Sequence, residues 1–271
     1  SRFFPAVLQL VLFTGGFIGQ AFSGVFMSAF GFIRPYVGIL LCFLASFFYC
    51  LLVVPESLEL PNQPGTLTSL FNIQSLKRVF TVFTTPRPST KRRNLIILVL
   101  IDSLFYCISV GANGVLILYL LRSPVCLSST GLGAFFAFKF VTEGLGGIVG
   151  VVVLRKFLRE ENVYRVGFVS LGLGFLCLAL VQNQYMAFLV PVFSSMSGIL
   201  MPSLKGAIAN LVKAEEQGAT NTAVSVVENI SLIFGSLACN TMYIYASASG
   251  FPYMVFIVCG VVALTPILII R

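Results

Sequence analysis

The sequence predicts an all-α membrane protein with eight transmembrane helices, and three observations lead there. Of its 271 residues, 58% are hydrophobic and only 10% charged, with a mean hydropathy of +0.99; ordinary soluble domains are about 25% charged. The apolar residues gather in blocks long enough to cross a hydrocarbon core of roughly 30 Å, which takes about 20 helical residues. None of the blocks alternates like the strands of a barrel, so backbone hydrogen bonds must close within each segment, as they do in a helix.

The blocks are expected near residues 4–28, 36–54, 94–119, 131–154, 166–183, 186–204, 220–244 and 252–270. In the first, Gln9, Gly16 and Gln20 share a face, and Gly15, Gly19 and Ser23 form a small-xxx-small row of the kind that lets helices approach closely. Between the second and third lies a polar, proline-dotted stretch, Pro55 to Arg93, carrying Lys77, Arg78, Arg87, Lys91, Arg92 and Arg93. Within it, Leu67 to Phe83 has near-helical apolar spacing. Two readings are open: an amphipathic helix on the inner leaflet, or a loop folded against the bundle. Two spans before this loop and six after it matter because many transporters are built as six plus six around a central cytoplasmic loop. The expected division is 1–54, 55–93 and 94–271.

Polar groups inside the later spans are the candidates for chemistry. A charge at mid-bilayer costs about 2.5–3.5 kcal/mol even on the lenient scale, so it normally faces a partner or an aqueous cavity. In the third span Asp102, Tyr106, Ser109 and Asn113 fall on one helical face. They either wall a cavity or, in the case of Asp102, sit solvated near the inner interface. Lys139 and Glu143 in the fourth are spaced to pair along the helix, and Gly146 and Gly150 continue their face. The pair either neutralises itself or is opened by substrate or a proton. Lys205 is expected to close the sixth span, as an interfacial anchor or as a cation at the inner mouth that holds an anionic solute. In the seventh, Asn221, Ser225, Glu228 and Gly235 share a face. Glu228 has no basic neighbour in sequence, so it takes a partner from another helix, or a proton.

The net charge of +8 is a topology signal rather than a nucleic-acid footprint. Arg2, the loop cations, Arg155, Lys156, Arg159, Arg165, Lys213 and Arg271 fall at ends of one parity, against Arg34 and Arg122 at the other. Positive residues mark the cytoplasmic side, so both termini and the central loop are expected there, in contact with anionic membrane lipid. Six of the seven cysteines lie within spans. Cys126 sits in an outward loop, the compartment where disulfides form; it is either free or paired with a segment outside this chain. No signal peptide is visible, and the first residue is Ser, so an internal start is expected. With no His in the chain, Ser-His-Asp and Cys-His sites and His-bearing zinc motifs are excluded. There is no P-loop. No enzyme activity, cofactor or metal is expected.

Leu118 to Cys126 (LYLLRSPVC) resembles the loop after the seventh helix in the proton-coupled folate transporter and thymic stromal cotransporter family, solute carrier family 46. Pro202 to Ala219 (PSLKGAIANLVKAEEQGA) is similar to that family's tenth helix and following loop, ending in its Glu216-Gln217-Gly218-Ala219 signature. Pro55-Glu56-Ser57 and the Phe-x-x-Pro-Arg-Pro segment ending at Pro88 also fit. The resemblance implies a partial major facilitator architecture, helices five to twelve of twelve. It makes 1–54 the last two helices of the N-terminal half and 94–271 the complete C-terminal half. It further implies that Lys205 occupies a basic position used in transport, that Gln9 lies near an acidic position tied to proton coupling, and that Phe140 stands at a position holding histidine in the family. Cys126 resembles a loop cysteine that pairs with one between the first two helices.

The function expected is transport of a small polar or anionic organic solute by alternating access, with protons as candidate coupling ion. Lys205, Asp102, Glu228, Lys139, Glu143, Tyr106, Asn113, Asn221 and Gln9 are the candidates for binding or coupling. The expected location is the plasma membrane or the lysosomal membrane. The alternative is a non-transporting, truncated membrane protein acting as scaffold or binding partner.

Overall fold

In the computed structural model, residues 4–31, 33–54, 89–213 and 216–269 are described, and their secondary structure is helical throughout. Most of the central loop, including the expected interfacial helix at 67–83, lies outside these residues, as do Arg2 and Arg271. The longer helices are α1 (Phe4–Phe30), α2 (Ile33–Leu52), α3 (Ser89–Ser109), α4 (Asn113–Leu121), α5 (Ser129–Val149), α6 (Glu160–Ala179), α7 (Gln184–Phe193), α8 (Leu200–Asn210), α9 (Gln217–Ala248) and α10 (Met254–Leu264). A π-helical turn, Gly150–Leu154, prolongs α5, and a 3₁₀ turn, Ser195–Ile199, joins α7 to α8.

Every expected block falls on helix, but a count of eight crossings does not follow. Among the described residues five helices are long and apolar enough to span a membrane, or six if a bent pair is taken as one. Breaks account for part of the difference, in the sixth and last blocks; the third, though interrupted, is still one span-length segment, Thr90–Leu121. The third block is α3 plus α4, interrupted at Val110–Ala112, where the N–H groups of Val110 and Gly111 both reach the Tyr106 carbonyl, at 3.2 and 3.3 Å. The helix crowds α9 at this point: a Cβ on Gly111 would run into the backbone of Gly235, and one on Gly235 into the Cys107 carbonyl. The last block is short and broken at Thr265.

The sixth block is longer than expected. It runs from Gln184 to Asn210 and bends by 41° after Phe193, two residues beyond Pro191. A proline removes a backbone donor and clashes with the preceding turn. Irregular backbone at membrane depth needs protein partners, and Ser170 of α6 supplies them: its hydroxyl donates to the Phe193 carbonyl at 2.6 Å and accepts from the Met196 N–H at 3.1 Å. Ser170→Ala leaves both groups unpaired, at about 1–3 kcal/mol for each buried unsatisfied group. The expected outcome is a lower thermal unfolding midpoint for the purified protein, with Ser170→Thr closer to wild type.

The core gathers around Tyr119, Leu120, Phe135, Phe168, Leu200 and Phe256, contributed by five helices. Tyr119 stacks edge-on against Phe256 at 5.0 Å, and its hydroxyl donates to the Val181 carbonyl at 3.3 Å. Helix α2 buries no residue. Its exposed phenylalanines and leucines suit contact with hydrocarbon.

Helix α1 packs lengthwise against α5. The expected row of Gly15 and Gly19 is not the contact face, since a Cβ at either would meet nothing within 4 Å. The seam runs one residue later, through Gly16, Gln20 and Gly24: a Cβ on Gly24 would come within 2.9 Å of the Ser129 carbonyl, and one on Gly133 equally close to the Gln20 carbonyl. Phe140 closes the seam over Gly16, with Phe13 edge-on at 6.2 Å. Gly146 and Gly150 do form a seam, against Ser195 and Ile199 of the bent pair.

Candidate functional site

Three helices bring charge together inside the bundle. Lys205 lies in the middle of α8, one turn short of its end, rather than closing the span as expected. Pro202 and the bend before it turn that helix toward α3 and α9, both of which it contacts. There the Lys205 Nζ lies 3.2 Å from Glu228 Oε1 and donates to Oε2 at 3.4 Å. The same Nζ stands 5.7 Å above the centre of the Tyr106 ring, a cation–π distance. Glu228 is nearly buried, while Lys205 keeps 41% of its side chain exposed.

Asp102 completes the group. It is fully buried, and neither carboxylate oxygen makes a hydrogen bond of ordinary geometry among the described residues. Its carboxyl nonetheless lies close enough to those of Glu228 and to the Lys205 ammonium to interact with both. Its alternative placement, solvated at the inner interface, does not hold. Leu95, Val99, Val224 and Ile208 form an apolar plug from the same three helices.

The polar face of the third span is divided between two sites. Asp102 and Tyr106 belong to the Lys205–Glu228 cluster. Ser109 and Asn113 instead line a cleft with Lys139 and Glu143, whose walls include Phe135 and Phe175. Lys139 and Glu143 do pair along α5, at 3.7 Å, and the Ser197 hydroxyl lies 3.5 Å from Glu143 Oε1. One interrupted helix therefore serves two ion pairs.

Other candidates are not brought in. Asn221 and Ser225 are exposed, because the buried stripe of α9 runs through Thr220, Val224 and Glu228 instead. Gln9 lies in α1, and its side chain is outside the described residues. Cys126 is a free, exposed thiol in the α4–α5 loop, in the left-handed backbone region at φ 49°. Gln184 donates to its carbonyl at 3.1 Å, and Arg122 to the Ser247 hydroxyl at 2.7 Å. Ser170 was not legible as functional, since a lone serine in an apolar helix carries no pattern.

A cation and two acids from three helices thus form one charge cluster, and a second ion pair lines a separate cleft. The chain's curated homologues belong to solute carrier family 46. The chain is 23% identical over 251 residues to a proton-coupled folate transporter of Rattus norvegicus, covering 92% of this chain and 54% of that protein. It is 24% identical over 254 residues to a lysosomal proton-coupled steroid conjugate and bile acid symporter of Gallus gallus, with the same coverages. Solute carrier family 46 member 2 of Mus musculus is 26% identical over 260 residues, 88% of this chain and 52% of that protein. The chain thus spans about half the length of the curated relatives it matches. No protein-family model matches it. These homologues are solute carriers of the major facilitator superfamily, not enzymes.

Proposed function

We propose that this chain is part of a solute transporter that works by alternating access, moving a small polar or anionic organic solute with protons as the coupling ion. In this reading residues 94–271 form one six-helix half and 1–54 the last two helices of the other, joined by a cytoplasmic loop at 55–93. The basic residues keep both termini on the cytoplasmic side of a plasma or lysosomal membrane. Lys139, Glu143 and Asn113 in the cleft, and Lys205, Glu228, Asp102 and Tyr106 beside it, are the binding and coupling groups.

The observation that carries the reading is the Lys205 ammonium, on a partly exposed side chain, held over Tyr106 by a buried acid. A cation kept accessible at membrane depth, where charge is costly, suits recognition of an anion. The relatives' named solutes, a folate, steroid conjugates and bile acids, include such anions. The test is uptake by the full protein in proteoliposomes, with folate and a conjugated bile acid as probes, at equal pH and with the outside acidified. Saturable uptake that rises with the inward proton gradient is expected. No uptake of either above protein-free vesicles overturns the proposal.

A further inference from the structure

Two buried carboxyl groups share one ammonium in the α3–α8–α9 cluster. Glu228 takes the contact with Lys205, and Asp102, with no exposed surface, is left beside them without a hydrogen bond of ordinary geometry among the described residues. Were both acids ionised, the cluster would hold a net charge of minus one in an apolar bundle, with two like charges adjacent. Both conditions oppose ionisation of the second acid. The titratable groups facing Asp102 are Glu228 from α9, Lys205 from α8 and Tyr106 on its own helix. Helix α10, also packed against α3, brings the Cys259 thiol, which faces Cys239 at 3.8 Å and Cys107 rather than Asp102.

We propose that Asp102 and Glu228 hold a single proton between them, and that Lys205 sets how many protons the pair carries. The proton belongs to the pair rather than to either residue, as in any tightly coupled dyad. With Lys205 on Glu228, one acid is ionised and the other protonated. An anion that draws the ammonium away leaves Glu228 uncompensated, and a second proton enters from water to neutralise it. Anion and proton then bind together and leave together, which gives symport its sign. This last step rests on the transport reading; the proton count does not.

The count is testable without transport. Infrared spectra of the purified full protein in lipid nanodiscs at neutral pH report protonated carboxyls directly, and groups common to all variants, such as Glu143, cancel in differences. The wild type is expected to show one protonated carboxyl from the cluster. That band is lost in Asp102→Asn and again in Glu228→Gln, because each leaves one acid paired with Lys205. In Lys205→Gln the signal doubles. A merely structural role would not produce opposite signs from the two kinds of variant. Unchanged spectra in all three, or a band that survives both acid substitutions, overturns the proposal and leaves solute transport to stand on its uptake assay. The expected pattern in a protein that moves no solute supports the proton site and rejects the transport reading alone. A variant that melts far below wild type is replaced by Asp102→Glu, expected to keep the single band; its loss there counts against the pair.

Discussion

Lys205→Ala is expected to cut uptake of an anionic solute at limiting concentration by about ten- to a hundredfold, because a charge-assisted contact is worth about 1.5–3 kcal/mol and about 1.4 kcal/mol is tenfold. Two effects act together. The anion loses its cation, and the buried Glu228 carboxylate loses the ammonium 3.2 Å away. Lys205→Arg keeps the charge but replaces a compact ammonium with a planar fork, so an intermediate rate is expected. Initial uptake measured well below saturation checks this, normalised to protein in the membrane. If Lys205→Ala matches wild type, the anion contact lies elsewhere, and Lys139 in the cleft becomes the residue to replace.

Gly235→Val is expected to produce the largest loss of stability in the bundle. Helices α3 and α9 touch backbone to backbone at Gly111 and Gly235, and a side chain at Gly235 would press on the Cys107 carbonyl, which is fixed within its helix and cannot turn aside. Overpacking of this kind costs about 1–3 kcal/mol and more where the obstacle is backbone. The same seam sets the register that places Asp102 beside Glu228, so uptake should fall with stability. Gly206→Ala is the control, because a Cβ there meets nothing within 4 Å. Replacing a helix-interior glycine by alanine where the space is open stabilises by about 0.5–1 kcal/mol. Thermal unfolding of the two purified variants in one detergent decides it: a Gly235→Val midpoint equal to wild type would mean that the close approach is not maintained.

The helices were legible because length and apolar content are local properties, and each block carries both. The interruptions were legible only in part. Pro191 announces the bend after Phe193, but the gap at Val110–Ala112 contains no proline, only Gly111, and its close approach to Gly235 of α9 is something no local pattern records. For the same reason the fourfold spacing of Gly15 and Gly19 misled. Gly16, Gln20 and Gly24 repeat at the same interval, and spacing alone cannot say which of two neighbouring rows faces a partner. Lys205, Glu228 and Asp102 were each recognisable as charges in oil. Their meeting was not, since Lys205 and Glu228 are 23 residues apart and belong to different helices. Asn221 shows the reverse error: on an ideal helix it shares a face with Glu228, yet the covered stripe of α9 is rotated away from it.

The seam between α1 and α5 has a mechanical consequence. Along most packed helices, side chains interlock, and displacement requires rotamers to be lifted out of their holes. Here Gly24 and Gly133 present bare backbone to each other, with the Phe140 ring packed on Gly16. Such a surface behaves as a bearing. Between these two glycines no side chains interlock to oppose small sliding steps, the shear by which packed helices move in switching proteins. Bulky residues at Gly24 or Gly133 would act as a brake on that motion.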